Sequence, residues 1–453
     1  MRFGPLCGFL LLSEVLPCFG FVSFDEDIEQ VRDKWDGVGL TAWSVDGQGN
    51  MCSLGAAGER IKGSGTSFVV TGDSRHHIGS VTKSMTAVLL ALFIQDGTIP
   101  GGWDTKLSDL LSPAVGTAYE NVTLRQLVSM QSGLPANPKD WWLYENTVPG
   151  NIRAQRTIAA QDALLTTPEN VPGTTYLYSN WGFMLAGHIL EELTDKLWED
   201  LLATRLFLPL GIDLGNDPTL FTGAPTSEDD PWGHFGDAQS PCDPATTWNK
   251  CDNPAVLGPA GTFSGPVAAM AQYFAWHVKC HNGDDNTGLL PQAACRELHT
   301  PGNATVSPYG YGWECTQRDW AGGDGLTCTH TGSNALNFYV VWLGFGVNRA
   351  FVAFTNGGSR SNGEDALMTD EAVSMVIIGE ASCSDRIPSS SYTNDSAVGP
   401  TYAPISAPTS APTFAPPSGN ATTSGSEPSH DATMIRNSLA MMAVLFVCKH
   451  WLK

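Results

Sequence analysis

The chain has 453 residues, 42% of them hydrophobic, and carries a net charge of −22. That length and apolar content suffice for one large core or two unequal ones. The acidic excess repels phosphate backbones at long range, so nucleic acid is excluded as an expected ligand.

Residues 1–23 begin with Arg2, continue through the apolar run "PLCGFLLLSEVLPCFGF", and give way to the acidic "DEDIEQ", which reads as a secretory signal peptide interrupted by Glu14. The alternative is an N-terminal helix of the domain. Residues 24–385 form the expected folded domain, in which "DIEQVRDKWD" has helical spacing and "VGLTAWSVDGQGNMCSLGAAGE" reads as two strands around a Gly/Asp/Asn turn. From Ser80 onward, Met85, Val88, Leu89, Leu92 and Phe93 recur at the three-and-four spacing of a buried helix that stops at "QDGTIP". Residues 104–280 mix helical segments with Pro- and Gly-rich loops. Strand patterning returns in "HTGSNALNFYVVWLGF" and "NRAFVAFTN", and "EDALMTDEAVSMVIIGEA" closes the domain as a helix. Strands from both ends of the chain are thus expected in one sheet.

Residues 386–430 shift to Ser, Thr, Pro, Gly and Ala, a composition that buries too little apolar surface to fold, and are expected to be a disordered stalk. Residues 431–453 end in an apolar run shorter than the ~20 residues a spanning helix needs. Small residues at Ser424, Gly425 and Ser426 ahead of it resemble a lipid-anchor signal, so membrane attachment through a C-terminal anchor is one reading and a tail without function the other. Four N-x-Ser/Thr sequons, at Asn121, Asn303, Asn394 and Asn420, agree with a secreted or extracellular cell-surface protein.

Of the 11 cysteines, Cys7, Cys18 and Cys448 lie in the signal and tail, leaving an even eight for the domain. Proximity in sequence pairs Cys242 with Cys251, Cys280 with Cys295 and Cys315 with Cys328, and leaves Cys52 for Cys383. No C-x-x-C pair offers half a zinc site, and neither a metal nor another cofactor is expected.

A serine hydroxyl is a weak nucleophile until a neighbour takes its proton, and a lysine one helical turn later lies on the same face. Ser80 and Lys83 have that spacing, and of the ten lysines only Lys83 has a serine three residues before it. A tyrosine two residues before an asparagine occurs four times, at Tyr119, Tyr144, Tyr178 and Tyr392. Only Tyr178 and Asn180 sit on a tight loop that opens a strongly periodic helix. His-x-Gly triplets at His234 and His281 are rivals, but of these and His330-Thr331-Gly332 only the last leads into an apolar strand-like run. A glycine there lets substrate approach the strand backbone. His76 and His77 read as partly exposed loop residues beside the motif, and Trp141 and Trp142 as core and surface neighbours, with a cleft wall as the alternative.

The ordered set "GSVTK", "YSN" and "HTG" resembles the serine penicillin-recognising hydrolases, in the branch of class C β-lactamases and D-Ala-D-Ala carboxypeptidases. "VTLRQLVSMQSGLP", "GPAGTFSGPVAAMAQYF" and "YGYGW" extend the resemblance over residues 27–383. The resemblance implies an α/β fold, an antiparallel β-sheet flanked by helices plus an all-helical lobe, with the site in the cleft between them. It implies Ser80 as nucleophile, Lys83 assisting its deprotonation, and Tyr178 as base toward Ser80 and acid toward the leaving group. It further implies Asn180 orienting substrate or Lys83, and the Ser80 and Ser333 N–H groups as oxyanion hole beside Thr331 and Gly332. A Lys83 ammonium is expected to lower the Tyr178 pKa. His330 replaces the lactamase lysine, as in certain D-Ala-D-Ala carboxypeptidases and D-aminopeptidases, and would hydrogen-bond a substrate carboxylate, with Arg318 a candidate for its charged grip. The expected activity is cleavage of an ester or amide of a small molecule or peptide. A repurposed carboxylesterase and a catalytically silent surface binding module are the alternatives.

Overall fold

The computed structural model describes residues 21–380 except 216, 222–224, 226–229 and 248–250. The expected stalk and tail, Cys383, Asn394, Asn420 and the first 20 residues of the expected signal lie outside the described residues. Val22 and Ser23, assigned by sequence to the signal, form a short strand β1 (Val22–Ser23) parallel to β3 (Met51–Gly58).

The main sheet has seven strands in the order β1-β3-β2-β11-β10-β9-β8. The rest of it comprises β2 (Gly39–Asp46), β8 (Glu314–Gln317), β9 (Leu326–Ser333), β10 (Phe338–Gly344) and β11 (Arg349–Thr355). All pairings but that of β1 are antiparallel, and β2 lies beside β11 with Leu40 opposite Thr355 and Asp46 opposite Arg349. Strands from the two ends of the chain therefore meet at the sheet's centre, as the sequence leads one to expect. Every residue of β2, β10 and β11 is buried, because helices cover both faces.

On the outer face lie α1 (Asp25–Lys34) and the closing helix α6 (Glu364–Gly379), packed around Ile28, Val340, Trp342, Phe351 and Val373. On the inner face α5 (Val267–Asn282) joins the sheet to a helical lobe containing α2 (Thr82–Gln95), α3 (Ile152–Leu165) and α4 (Asn180–Thr194). Thr82 through Phe93 are all buried, so α2 is surrounded rather than laid on a surface. In the same lobe the fully buried Arg156 guanidinium is held between Glu191 and Glu199 and donates to the carbonyls of Ala255 and Val256. This ion cluster ties two helices to the segment that enters the cleft floor at Gly258–Gly261.

Among the described residues, disulfides join Cys242 to Cys251, Cys280 to Cys295 and Cys315 to Cys328. Cys52 is buried in β3, and its expected partner Cys383 lies outside the described residues. The expectation for the two histidines needs correction. His76 and His77 are both buried on β4 (Arg75–His77), which pairs with β7 (Ser264–Pro266). The His76 ring stacks on Phe354 with centroids 4.0 Å apart. A three-residue strand has too little length to show a pattern in sequence.

Candidate active site

Ser80 lies in the single 3-10 turn Gly79–Val81 that starts α2. Gly79 has φ +51, and a Cβ there would come within 2.3 Å of Ser333 N, so only glycine fits. Gly332 is under the same constraint from the other side, since its Cβ would lie 1.9 Å from Ile78 O and 2.7 Å from Ser80 N. The two glycines thus let the turn and strand β9 touch backbone to backbone, bringing the amides of Ser80 and Ser333 to one place. Strand β8 pairs with β9 only from Leu326 to Thr329, so it leaves His330–Ser333 uncovered on that side.

Lys83 is fully buried, with Nζ 2.9 Å from Ser80 Oγ and 2.6 Å from Ala260 O. Burial holds its pKa well below the ordinary lysine value, because no carboxylate compensates the lost solvation. Burial thus shifts the balance toward the uncharged amine. Nζ donates to Ala260 O and to Ser80 Oγ.

Tyr178 stands just before α4, whose N-cap Ser179 accepts from Gly182 N at 3.0 Å and donates to Pro135 O at 2.7 Å. Leu177 N bonds Met130 O, so both sides of Tyr178 are fixed. Lys83 Nζ lies over the face of its ring, 4.8 Å from the centroid. Burial pushes the phenol pKa up, and the neighbouring Ser80 hydroxyl opposes this only partly. The phenol lies near enough to feel that hydroxyl but forms no hydrogen bond of ordinary geometry. This corrects the expected electrostatics: burial raises the phenol pKa rather than Lys83 lowering it, so the phenol stays protonated.

Asn180 opens α4, and its Nδ2 donates to Asn137 Oδ1 at 2.9 Å. Trp141 Nε1 donates to the same oxygen at 3.1 Å, so Trp141 reaches the cleft's support through Asn137. His330 is buried beside Tyr309, whose hydroxyl lies 2.9 Å from Nε2, while Nδ1 lies 2.6 Å from Thr331 O. A neutral ring fits both contacts, accepting at Nε2 and donating at Nδ1. Thr331 pairs with Val340, on the sheet face opposite to His330 and Gly332, so it offers the cleft its backbone. Ser333 Oγ accepts from Ala335 N at 2.9 Å.

Arg318 is not in the cleft. Gln317 pairs with Leu326, so Arg318 begins at the far end of β9, roughly 15 Å along the strand from His330. Its guanidinium sits 5.7 Å from the centre of the Trp342 ring on the outer face and partly offsets the rise that burial gives the Asp370 carboxyl pKa on α6. Sequence reasoning placed it by its position ahead of the His330 triplet, and the hairpin register overrides that. Tyr309, Ala260 and Asn137 were missed. Tyr309 and Ala260 lie in the stretches "YGYGW" and "GPAG" that carry the resemblance, but they show no spacing relation to Ser80.

The arrangement brings a serine hydroxyl, a buried amine, a protonated phenol and two backbone donors into one cleft between sheet and helical lobe. Among known proteins, penicillin-binding protein 4 of Amycolatopsis lactamdurans is 28% identical over 309 residues, covering 65% of this chain and 75% of its own. A D-aminopeptidase of Cereibacter sphaeroides is 28% identical over 250 residues, covering 53% of this chain and 42% of its own length. A solved penicillin-binding protein from Bacillus halodurans superposes with a TM-score of 0.59 at 18% identity, covering 77% of this chain and 99% of that one, a likeness of fold. The family profile described as Beta-lactamase matches residues 54–373, a span that includes Ser80, Tyr178 and His330. With its mixed α/β fold and relatives that include hydrolases, the chain belongs to the beta-lactamase family.

Proposed function

We propose that this chain is a serine hydrolase that forms an acyl-enzyme on Ser80 from an ester or amide of a small molecule or peptide. The observation that carries the reading is the approach of the fully buried Lys83 amine, whose pKa burial lowers, to within 2.9 Å of Ser80 Oγ. As Ser80 Oγ attacks the carbonyl carbon, Lys83 takes its proton, and charge develops on the carbonyl oxygen between the N–H groups of Ser80 and Ser333. The leaving group departs with a proton supplied through the Tyr178 phenol, and the Lys83 ammonium restores it. Water then repeats the sequence on the acyl ester. Tyr178 thus acts as an acid, and Lys83 takes the role of base that sequence reasoning gave to the phenol.

Arg318 lies outside the cleft and both His330 ring nitrogens are engaged, so no charged grip for a substrate carboxylate is supplied by those two residues. This favours D-aminopeptidase-like cleavage, as in the relative so named, over D-Ala-D-Ala carboxypeptidase-like cleavage. It equally favours a carboxylesterase of the same fold. Secretion or tethering at the cell surface is part of the proposal, supported by the signal-like leader, the sequons and the disulfides. A fluorophosphonate should label the folded protein at Ser80 and fail on Ser80→Ala. Labelling that survives Ser80→Ala, or none on folded protein, would refute the assignment. Ester and D-amino amide panels then separate the two substrate classes.

A further inference from the structure

The turn that carries Ser80 and the strand end that carries Ser333 are joined behind the cleft by a chain of buried polar groups that the acyl-transfer chemistry does not use. Gly79 N, one residue before Ser80, donates to His77 Nδ1 at 3.1 Å. An imidazole that accepts at Nδ1 carries its proton on Nε2 when neutral. His77 Nε2 lies 3.0 Å from Asp252 Oδ1, off the line of a straight hydrogen bond, and both side chains are at most 5% exposed. Asp252 Oδ1 also accepts from Asn334 Nδ2 at 3.2 Å and from Asn253 N at 2.7 Å. Asn334 directly follows Ser333, and its Oδ1 accepts from Leu336 N and Asn337 N at 3.2 and 3.0 Å, closing the turn beyond β9. Asp252 itself is anchored through the preceding Cys251, which is bonded to Cys242.

We propose that His77 and Asp252 are positioning residues that fix the separation of the two backbone N–H groups of Ser80 and Ser333, and thereby set how well the cleft holds a developing oxyanion. The proposal rests on the acyl-serine reading above. The two ends of the brace attach one residue from each donor, so loosening it alters the spacing of the donors with little effect on Lys83 or Tyr178. A substrate in its ground state gains less from the hole than the tetrahedral intermediate does, so the loss falls on kcat and leaves KM nearly unchanged. Removing one oxyanion donor costs 10²–10³ in kcat, and misplacing one by an ångström costs up to ~10². A loss of about 10- to 100-fold is expected.

The experiment measures kcat and KM for p-nitrophenyl acetate, and the rate of labelling by a fluorophosphonate, on the full chain and four variants. Asp252→Ala removes the acceptor of the brace, while Asp252→Asn keeps an oxygen in the Oδ1 position. His77→Asn keeps an acceptor for Gly79 N but does not reach Asp252. The double variant Asp252→Ala/His77→Asn tests whether the two side chains act through one link. Thermal melting is recorded for each, so that loss of fold is seen separately; should Asp252→Ala not fold, His77→Asn and Asp252→Asn carry the test. The expected result is a kcat loss of about 10- to 100-fold with KM within about threefold for Asp252→Ala and His77→Asn. Asp252→Asn should recover most of the rate, and the double variant should be no slower than the worse single one. The proposal is overturned if folded single variants keep kcat within about threefold of wild type, if KM rises in step with the loss, or if the double loss is the product of the singles. A wild-type protein that is not labelled at Ser80 sinks the acyl-serine reading and this one together, whereas labelling with unaltered variant rates sinks the brace alone.

Discussion

Lys83→Met tests the assignment of the base most directly. Methionine fills the same buried slot without a lone pair for Ser80 Oγ or an N–H for Ala260 O, the two partners at 2.9 and 2.6 Å. A positioned general base contributes about 10²–10⁴ in rate, which corresponds to about 3–5 kcal/mol of barrier. The acylation rate of Ser80 should fall by that factor while the phenol and both backbone donors remain. The pH dependence carries the more specific signature. Burial lowers the Lys83 pKa, and the active form is the neutral amine, so kcat/KM rises with pH until the folded-state pKa is passed and then levels off. In Lys83→Met that rising limb should vanish. Stability should change in the matching sense. A lysine whose folded pKa is depressed makes the unfolded state bind more protons, so wild-type stability rises with pH from the folded to the unfolded pKa, and the variant should lose that slope. Ester hydrolysis and chemical denaturation between pH 5 and pH 9 give both readouts on one preparation. A variant that keeps more than about a tenth of the wild-type rate, or a wild-type rate that falls as pH rises over this range, would show that Lys83 does not take the proton.

Gly332→Ala should reduce kcat at least about 100-fold in a protein that still folds, because the new methyl would stand 1.9 Å from Ile78 O and can be accommodated only by parting β9 from the Ser80 turn; wild-type-like turnover would contradict the close approach. His76→Phe should keep the stack on Phe354 and remove two ring nitrogens that have no partner. Burial lowers the His76 pKa from 6.5 to about 3, so the unfolded state binds the extra proton and wild-type stability declines as pH falls from about 6.5 toward 3. The advantage of His76→Phe in denaturation should therefore grow across that window by several kcal/mol, at about 1.4 kcal/mol per unit, and a constant difference would count against the assigned burial. Glu191→Ala leaves the buried Arg156 with one carboxylate fewer and should lower unfolding free energy by about 3–5 kcal/mol. A loss below about 1 kcal/mol would mean that Glu199 alone compensates the guanidinium.

What the sequence discloses about this site depends on how each group reaches it. Ser80 and Lys83 are legible because a single helical turn joins them, and Tyr178 because the capped start of α4 leaves a recognisable loop before a periodic helix. The central strands are legible as apolar runs, since β10 and β11 are buried on both faces and need no alternation. Arg318 is illegible in the same chain because the β8–β9 register, which sets it past the far end of β9 from His330, is a pairing that no local pattern records, and a slip of one residue there turns a side chain to the other face. Tyr309, Ala260 and Asp252 meet the motif only through tertiary crossings of 21 to 177 residues, and nothing local records those meetings. The protonation states are hidden for a related reason. A lysine beside a tyrosine reads as an ion that lowers a phenol, but burial pushes the lysine pKa down and the phenol pKa up. The order of the motifs therefore identifies which side chains meet, whereas burial, which no local pattern records, sets the direction in which their pKa values move.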